Sequence, residues 1–142
     1  MNDYSLKDLN IGLSHSFDVK ITEEMMAMFQ KITGDSNPLH TDNHYARSRG
    51  FPDRVVYGLL TASFLSTFAG IYIPGKKSLI HSLNVNLHKP VFIGDTLSIN
   101  GEVQDKDERF SCIKLKLKIT NQDIVRVASG SMQIGVVDDL IN

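Results

Sequence analysis

The sequence predicts an α+β fold: an antiparallel β-sheet wrapped around one long, buried helix. Three observations predict it. The hydrophobic period is helical over the first half of the chain and changes to two after residue 77. Strand-like segments then follow one another with no helix between them, which argues against parallel βαβ units. Residues 57–69, "YGLLTASFLSTFA", are apolar on most sides, so this helix needs a large apolar cover, and the concave face of the sheet is the candidate.

The elements follow in order. In "SFDVKIT", Phe17, Val19 and Ile21 alternate on one face, the signal of a short strand. Thr22 can cap a helix whose first turn carries Glu23 and Glu24, both favourable at the positive end of the helix dipole. Met25, Met28, Phe29 and Ile32 form its apolar stripe, core or a flexible lid, and Gly34 is placed to stop it. Residues 35–42 read as a loop. Asp42 or Asn43 can cap a short helix through Ser48, with Gly50 as its stop. A second loop, "FPDR", leads to the apolar helix from Tyr57 to Ala69, which "IPGKK" ends. In "LIHSLNVNL", Leu79, Leu83, Val85 and Leu87 share a face, and His81 falls on it as a core or tunnel-wall histidine. "TLSINGEV" alternates Leu97, Ile99 and Val103, and "FSCIKLKLKIT" sets Ile113, Leu115, Leu117 and Ile119 against Lys114, Lys116 and Lys118. "IVRVASGSMQIGVV" closes the set, with "DKDER" and "NQD" as turns. One buried and one wet face is the mark of antiparallel pairing.

With 142 residues, 42% hydrophobic and 22% charged, the chain reads as a single domain over 1–142. A net charge of −1 without a basic block argues against nucleic acid or an anionic membrane surface as the main partner. The single cysteine, Cys112, allows no intrachain disulfide, fits a reducing compartment and reads as a structural thiol. The N-terminal stretch carries acidic residues and lacks an apolar segment of signal-peptide type. The apolar run at 58–73 is interrupted by Thr61, Ser63, Ser66 and Thr67 and is too short and polar to span a membrane. A soluble cytoplasmic protein is expected.

Chemistry concentrates in "TGDSNPLH", residues 33–40. It places a carboxylate, Asp35, and an imidazole, His40, around a stiff turn: Pro38 fixes φ, and Asn37 can bond the neighbouring backbone. Taken alone such a stretch is a turn with a surface histidine. His40 and His44 at i, i+4 lack the glutamate of a metalloprotease helix and a third ligand, so no metal is expected.

Three pieces in order resemble the hotdog-fold hydratases of the MaoC-like and (R)-specific enoyl-CoA hydratase group. "GDSNPLH" matches the D-x-N-P-x-H motif, "VVYGLLTASFLS" looks like the start of the central helix, and "KPVFIGDTL" is similar to the P-V-x-x-G-D turn. The resemblance covers roughly residue 17 to the end. It implies a single hotdog domain, catalysis by Asp35 and His40, an oxyanion hole using the Gly58 N–H, and a tunnel near a dimer interface. Ser66 matches a family serine near the site. Tyr57 departs from the pattern, because relatives often carry histidine before that glycine, and it reads as packing or a substrate wall.

The implied reaction suits these residues. Adding water across the α,β double bond of an acyl thioester requires a proton taken from water, a proton delivered to Cα and a donor for the charge that builds on the thioester oxygen. A carboxylate and an imidazole near one water can move the protons in both directions. A free N–H at a helix start can meet the oxyanion, and glycine lets the carbonyl approach. No redox or metal cofactor is expected; the partner is a coenzyme A or acyl-carrier thioester. Lys76, Lys77, Lys89, Arg47, Arg49 and Arg54 are candidates for the coenzyme A phosphates. Two rivals stand beside the hydratase. An acyl-CoA thioesterase usually carries a carboxylate on the central helix, and residues 57–70 hold none. A non-catalytic acyl-thioester binding module would not need the Asp–His pair. A free sheet edge and a ligand tunnel predict at least a homodimer.

Overall fold

The computed structural model describes residues 1–138. Five antiparallel strands form one sheet in the order β1-β3-β4-β5-β2, with β1 at Ser14–Lys20, β2 at Ser78–Leu87, β3 at Thr96–Asp107, β4 at Cys112–Thr120 and β5 at Arg126–Val136. The helices are α1 at Glu23–Thr33, α2 at Pro38–Thr41, α3 at Asn43–Ser48 and α4 at Gly58–Thr67. A single π-helical turn, Phe68–Tyr72, extends α4.

The inner strands follow their alternation. Leu97, Ile99 and Val103 on β3 and Ile113, Leu115, Leu117 and Ile119 on β4 are buried, and the three lysines of β4 face outward. Leu60, Leu65, Phe68 and Ala69 from α4 and its extension belong to the same core. Gly101 lies under the Phe68 ring: a Cβ there would lie 2.4 Å from Phe68 Cε1, so a side chain on β3 would lift the helix off the sheet.

Several expectations change. The stretch 35–42 is not all loop, because Asn37 caps a turn of helix, α2, with Pro38 at its first position. On α1 the buried residue is Met26; Met28 and Ile32 are 56% and 80% exposed. The helix buries a narrower stripe through Met25, Met26 and Phe29. On β2 a bulge at His81 breaks the alternation. Leu79 pairs with Gly135 and Ile80 with Ile134, so Leu79 leaves the face that Leu83 and Val85 share with the core, and Ile80 replaces it. His81 is exposed rather than core, its ring lying against Gly135. Leu83 and Leu87 remain 46% and 53% exposed, because β2 is an edge strand. Leu59, on the otherwise apolar α4, is 72% exposed.

Candidate active site

The site forms where α2, the strap 53–57 and the head of α4 meet. Thr22 caps α1 through the Met25 N–H, and Gly34 ends it in a left-handed conformation that redirects the chain into Asp35. Asn37 then accepts the Leu39 N–H at 2.9 Å and starts α2. The Val55 N–H donates to the Leu39 carbonyl, and the Val56 N–H donates to the Val91 carbonyl, so the strap is tied to α2 on one side and to the loop before β3 on the other. That loop is the "PVFIGD" turn, closed by the Phe92 N–H on Asp95 Oδ2 at 2.9 Å.

This framework fixes His40. Its Nδ1 lies 2.6 Å from the Val55 carbonyl oxygen. A carbonyl only accepts, so Nδ1 carries the proton, and in the neutral ring Nε2 keeps its lone pair. Tyr57 packs against the imidazole with ring centroids 4.2 Å apart and against Phe29 at 4.8 Å. The Tyr57 hydroxyl donates to the Asp35 carbonyl at 2.7 Å. One buried side chain thus ties the backbone of Asp35 to the ring of His40. Burial pushes the Tyr57 phenol above its ordinary range; the Asp35 charge adds to this and Arg54 opposes it.

His40 borders two hollows. A groove of about 330 Å³ is lined by His40, Gly58, Thr61, Leu87, Lys89 and Val127 among others. A smaller hollow of about 140 Å³ lies between His40, Tyr57, Met26 and the Arg54–Glu23 ion pair. A further hollow, about 730 Å³, lies elsewhere, on the solvated face carrying Glu102, Lys116 and Lys118. It shares no residue with the other two, and its charged lining suits water better than an acyl chain.

The structure thus brings Asp35, Asn37, His40, Tyr57 and Gly58 to one corner. Asp35 is exposed, and its Oδ1 accepts the Asn37 N–H at 3.1 Å, so the carboxylate is turned onto its own loop. Gly58 opens α4, where Tyr57 supplies no side-chain cap, and the first-turn N–H groups lack intrahelical acceptors. Ser66 lies two turns on, exposed, and lines neither hollow that His40 borders. Of the basic candidates, Lys89 borders the groove, whereas Arg54 is paired with Glu23 and Lys77 with Asp3 and Asp138. Among the described residues no cluster of three or more metal-ligating side chains occurs, and no helix is long and apolar enough to cross a membrane. Sequence reasoning missed Thr61, buried in the groove wall; its signal was a threonine one helical turn after Gly58 in an apolar run.

An antiparallel sheet around a buried helix, with a D-x-N-P-x-H turn at the helix head, defines the class as a hotdog-fold domain. The chain belongs to the MaoC-like domain family, whose model matches residues 9–129. It is 34% identical over 99 residues to a 3-hydroxybutyryl-CoA dehydratase of Methylorubrum extorquens, covering 70% of this chain and 63% of that protein, just under two thirds of its length. It is 31% identical over 104 residues to an (R)-specific enoyl-CoA hydratase of Rhodospirillum rubrum, covering 70% of this chain and 72% of the relative. The solved (R)-hydratase of Aeromonas caviae superposes with a TM-score of 0.88 at 27% identity, over 92% of this chain and 98% of that one. These relatives are hydro-lyases.

Proposed function

We propose that this chain is an (R)-specific enoyl-thioester hydratase that also runs in reverse as a 3-hydroxyacyl-thioester dehydratase. The observation that carries the reading is His40. Its Nδ1 is pinned to the Val55 carbonyl, which leaves Nε2 free as a base at the wall of the groove that Gly58 also lines. The (R) hand comes from the names of the relatives.

The thioester carbonyl lies at the head of α4, its oxygen accepting from the Gly58 N–H, and the acyl chain follows the apolar lining past Val56, Leu87 and Val127. Asp35 rotates its carboxylate off the Asn37 N–H toward a water shared with His40; hydrogen bonds of this kind commonly tighten only once substrate is bound. Water oxygen bonds to Cβ as its proton passes to the Asp35–His40 pair. The double-bond electrons move to Cα, and charge builds on the thioester oxygen at Gly58. A proton returned to Cα completes the 3-hydroxyacyl thioester, and the reverse order expels water. No cofactor enters this sequence. Lys89, at the edge of the groove, is placed for a coenzyme A phosphate, and the single buried thiol, Cys112, fits a reducing cytoplasmic setting.

The reading includes a homodimer. Edge strand β2 carries exposed Leu79, Ile80, Leu83 and Leu87 beside backbone groups free to pair, a surface that a second copy would cover. Sedimentation at micromolar concentration should give twice the chain mass, and Leu83→Lys should shift it to monomer; a monomeric wild type would end this part of the reading.

Hydration of crotonyl-CoA, followed as loss of the conjugated-thioester absorbance, tests the activity. Wild type should turn over and Asp35→Asn should not. Free thiol release traced to the groove would instead favour the thioesterase. Tight acyl-CoA binding without turnover at any chain length would favour a binding module.

A further inference from the structure

Thr61 is 2% exposed, and its Oγ1 is the one buried side-chain polar atom without a hydrogen-bond partner among the described residues. Leaving such a group unpaired is costly, so its retention needs an explanation. A helical threonine usually bonds back to the carbonyl four residues earlier. Here that bond is not made: the Tyr57 carbonyl accepts only the ordinary helical N–H of Thr61 at 3.1 Å, and the hydroxyl has no partner among the described residues. Thr61 lines the groove with His40 and Gly58. It lies three residues after Gly58, hence on the same face one turn on, and a helical side chain leans toward the N-terminus of its helix, here toward Gly58. Threonine has two accessible χ1 wells in a helix, so its hydroxyl can turn between helix and groove without strain.

We propose that the Thr61 hydroxyl is a second hydrogen-bond donor to the substrate's thioester carbonyl oxygen, beside the Gly58 N–H. The inference rests on the hydratase reading above. As water oxygen bonds to Cβ, the Cα=Cβ pair moves into the bond between Cα and the carbonyl carbon, and the carbonyl pair moves onto oxygen. Two donors on one helix face share that charge before the proton reaches Cα. The donor is already desolvated in the free protein, so little reorganisation accompanies the reaction.

The test uses the full chain, crotonyl-CoA, and the variants Thr61→Val and Thr61→Ser. Valine keeps the shape and removes the donor, so kcat should fall roughly 10²-fold, the scale of losing one oxyanion donor. KM should change little, because the lost interaction belongs mainly to the transition state. Serine should restore most of the rate. Thr61→Val should also melt at the same or a higher temperature than wild type, since it removes an unpaired buried hydroxyl; a merely structural threonine would lose stability instead. In Asp35→Asn, where substrate stays unreacted, the carbonyl stretch of bound crotonyl-CoA should rise when Thr61→Val is added. A Thr61→Val enzyme within twofold of wild-type kcat, or an unmoved carbonyl stretch, overturns the proposal and leaves the hydratase reading standing. A wild type without turnover on any enoyl thioester overturns both.

Discussion

Residues 35–38 turn by short-range polar bonds at the surface and are tied down only through Tyr57 and His40, whereas residues 56–61 hold their shape largely by packing. Asp35 and Asn37 are exposed, and their side chains accept N–H groups two residues further along the chain. Val56, Tyr57, Leu60 and Thr61 are buried, and Thr61 keeps a hydroxyl that nothing in the described protein satisfies. The difference teaches where chemistry and stability separate. On the loop a side chain can be exchanged for an isostere with little effect on the fold. On the helix head Val56, Tyr57, Leu60 and Thr61 are also buried, so a change at any of them acts on both.

The sharpest way to break this contrast is Asp35→Asn. An exposed isosteric change should shift stability by no more than about 0.5 kcal/mol, while turnover of crotonyl-CoA falls roughly 10²- to 10⁴-fold, the usual range for a lost acid–base group. Thermal melts by circular dichroism and the hydration assay read the two quantities. A large drop in melting temperature would show that the loop is structural after all.

Gly58→Ala tests the other side. A Cβ there would lie 2.4 Å from Leu87 Cδ1, but Leu87 is 53% exposed and that atom is the flexible end of its side chain, so it can swing outward. Replacing glycine in a helix contributes up to about 1 kcal/mol in favour of the fold, which offsets the displaced contact. The melting temperature should therefore move little. The new methyl group narrows the approach to the Gly58 N–H, and turnover should fall about tenfold or more, on the scale set by misplacing a reacting group by one ångström. Unchanged turnover would move the thioester oxygen elsewhere on the groove.

Much of this architecture was legible in the sequence, for reasons that differ by element. β3 and β4 sit inside the sheet with one face on the core, so their period-two pattern records burial directly. Thr22 and Gly34 bound α1 by local backbone chemistry, which a single sequence carries. β2 was misread because its bulge at His81 shifts the alternation, and nothing local in "LIHSLN" demands a bulge. Its apolar residues Leu79, Ile80, Leu83 and Leu87 stay about half exposed on an edge strand, which the sequence pattern does not distinguish from a core face. Met28 and Ile32 were misread because helical period shows which residues share a face, not how wide a neighbour covers it. At the site, "DSNPLH" and Gly58 were visible as turn and helix-start chemistry. The carbonyl partner of His40 and the bond from Tyr57 to Asp35 were not, since each joins residues 15 or more positions apart.

Tyr57 belongs to both regions, because it is packed in the helix head and its hydroxyl holds the loop. Tyr57→Phe keeps the ring contacts with His40 and Phe29 and removes the 2.7 Å bond to the Asp35 carbonyl. The expected stability loss is about 0.5–1.5 kcal/mol, with a several-fold drop in turnover as Asp35 loses its anchor. A further drop in Asp35→Asn, combined with Tyr57→Phe, should be small, because the bond acts through a carboxylate that is already gone. A full multiplicative loss would place the role of Tyr57 on His40 instead.

The smallest effect is a pH slope, and it isolates the same side chain. The Tyr57 phenol is raised above its ordinary value, first by burial and then by the Asp35 charge, against Arg54. A group whose folded value is raised contributes stability that is fully present below its unfolded value, about pH 10 for tyrosine. That contribution is lost as pH rises through the folded value, because the unfolded chain releases the proton first. Urea melts of wild type and Tyr57→Phe between about pH 8 and about pH 11 should therefore converge at the alkaline end. Tyr4, Tyr45 and Tyr72 are common to both proteins and cancel in the difference. Parallel curves across that range would mean that Tyr57 ionises as freely folded as unfolded, and the contrast between a packed helix head and a solvated loop would fail at the residue that joins them.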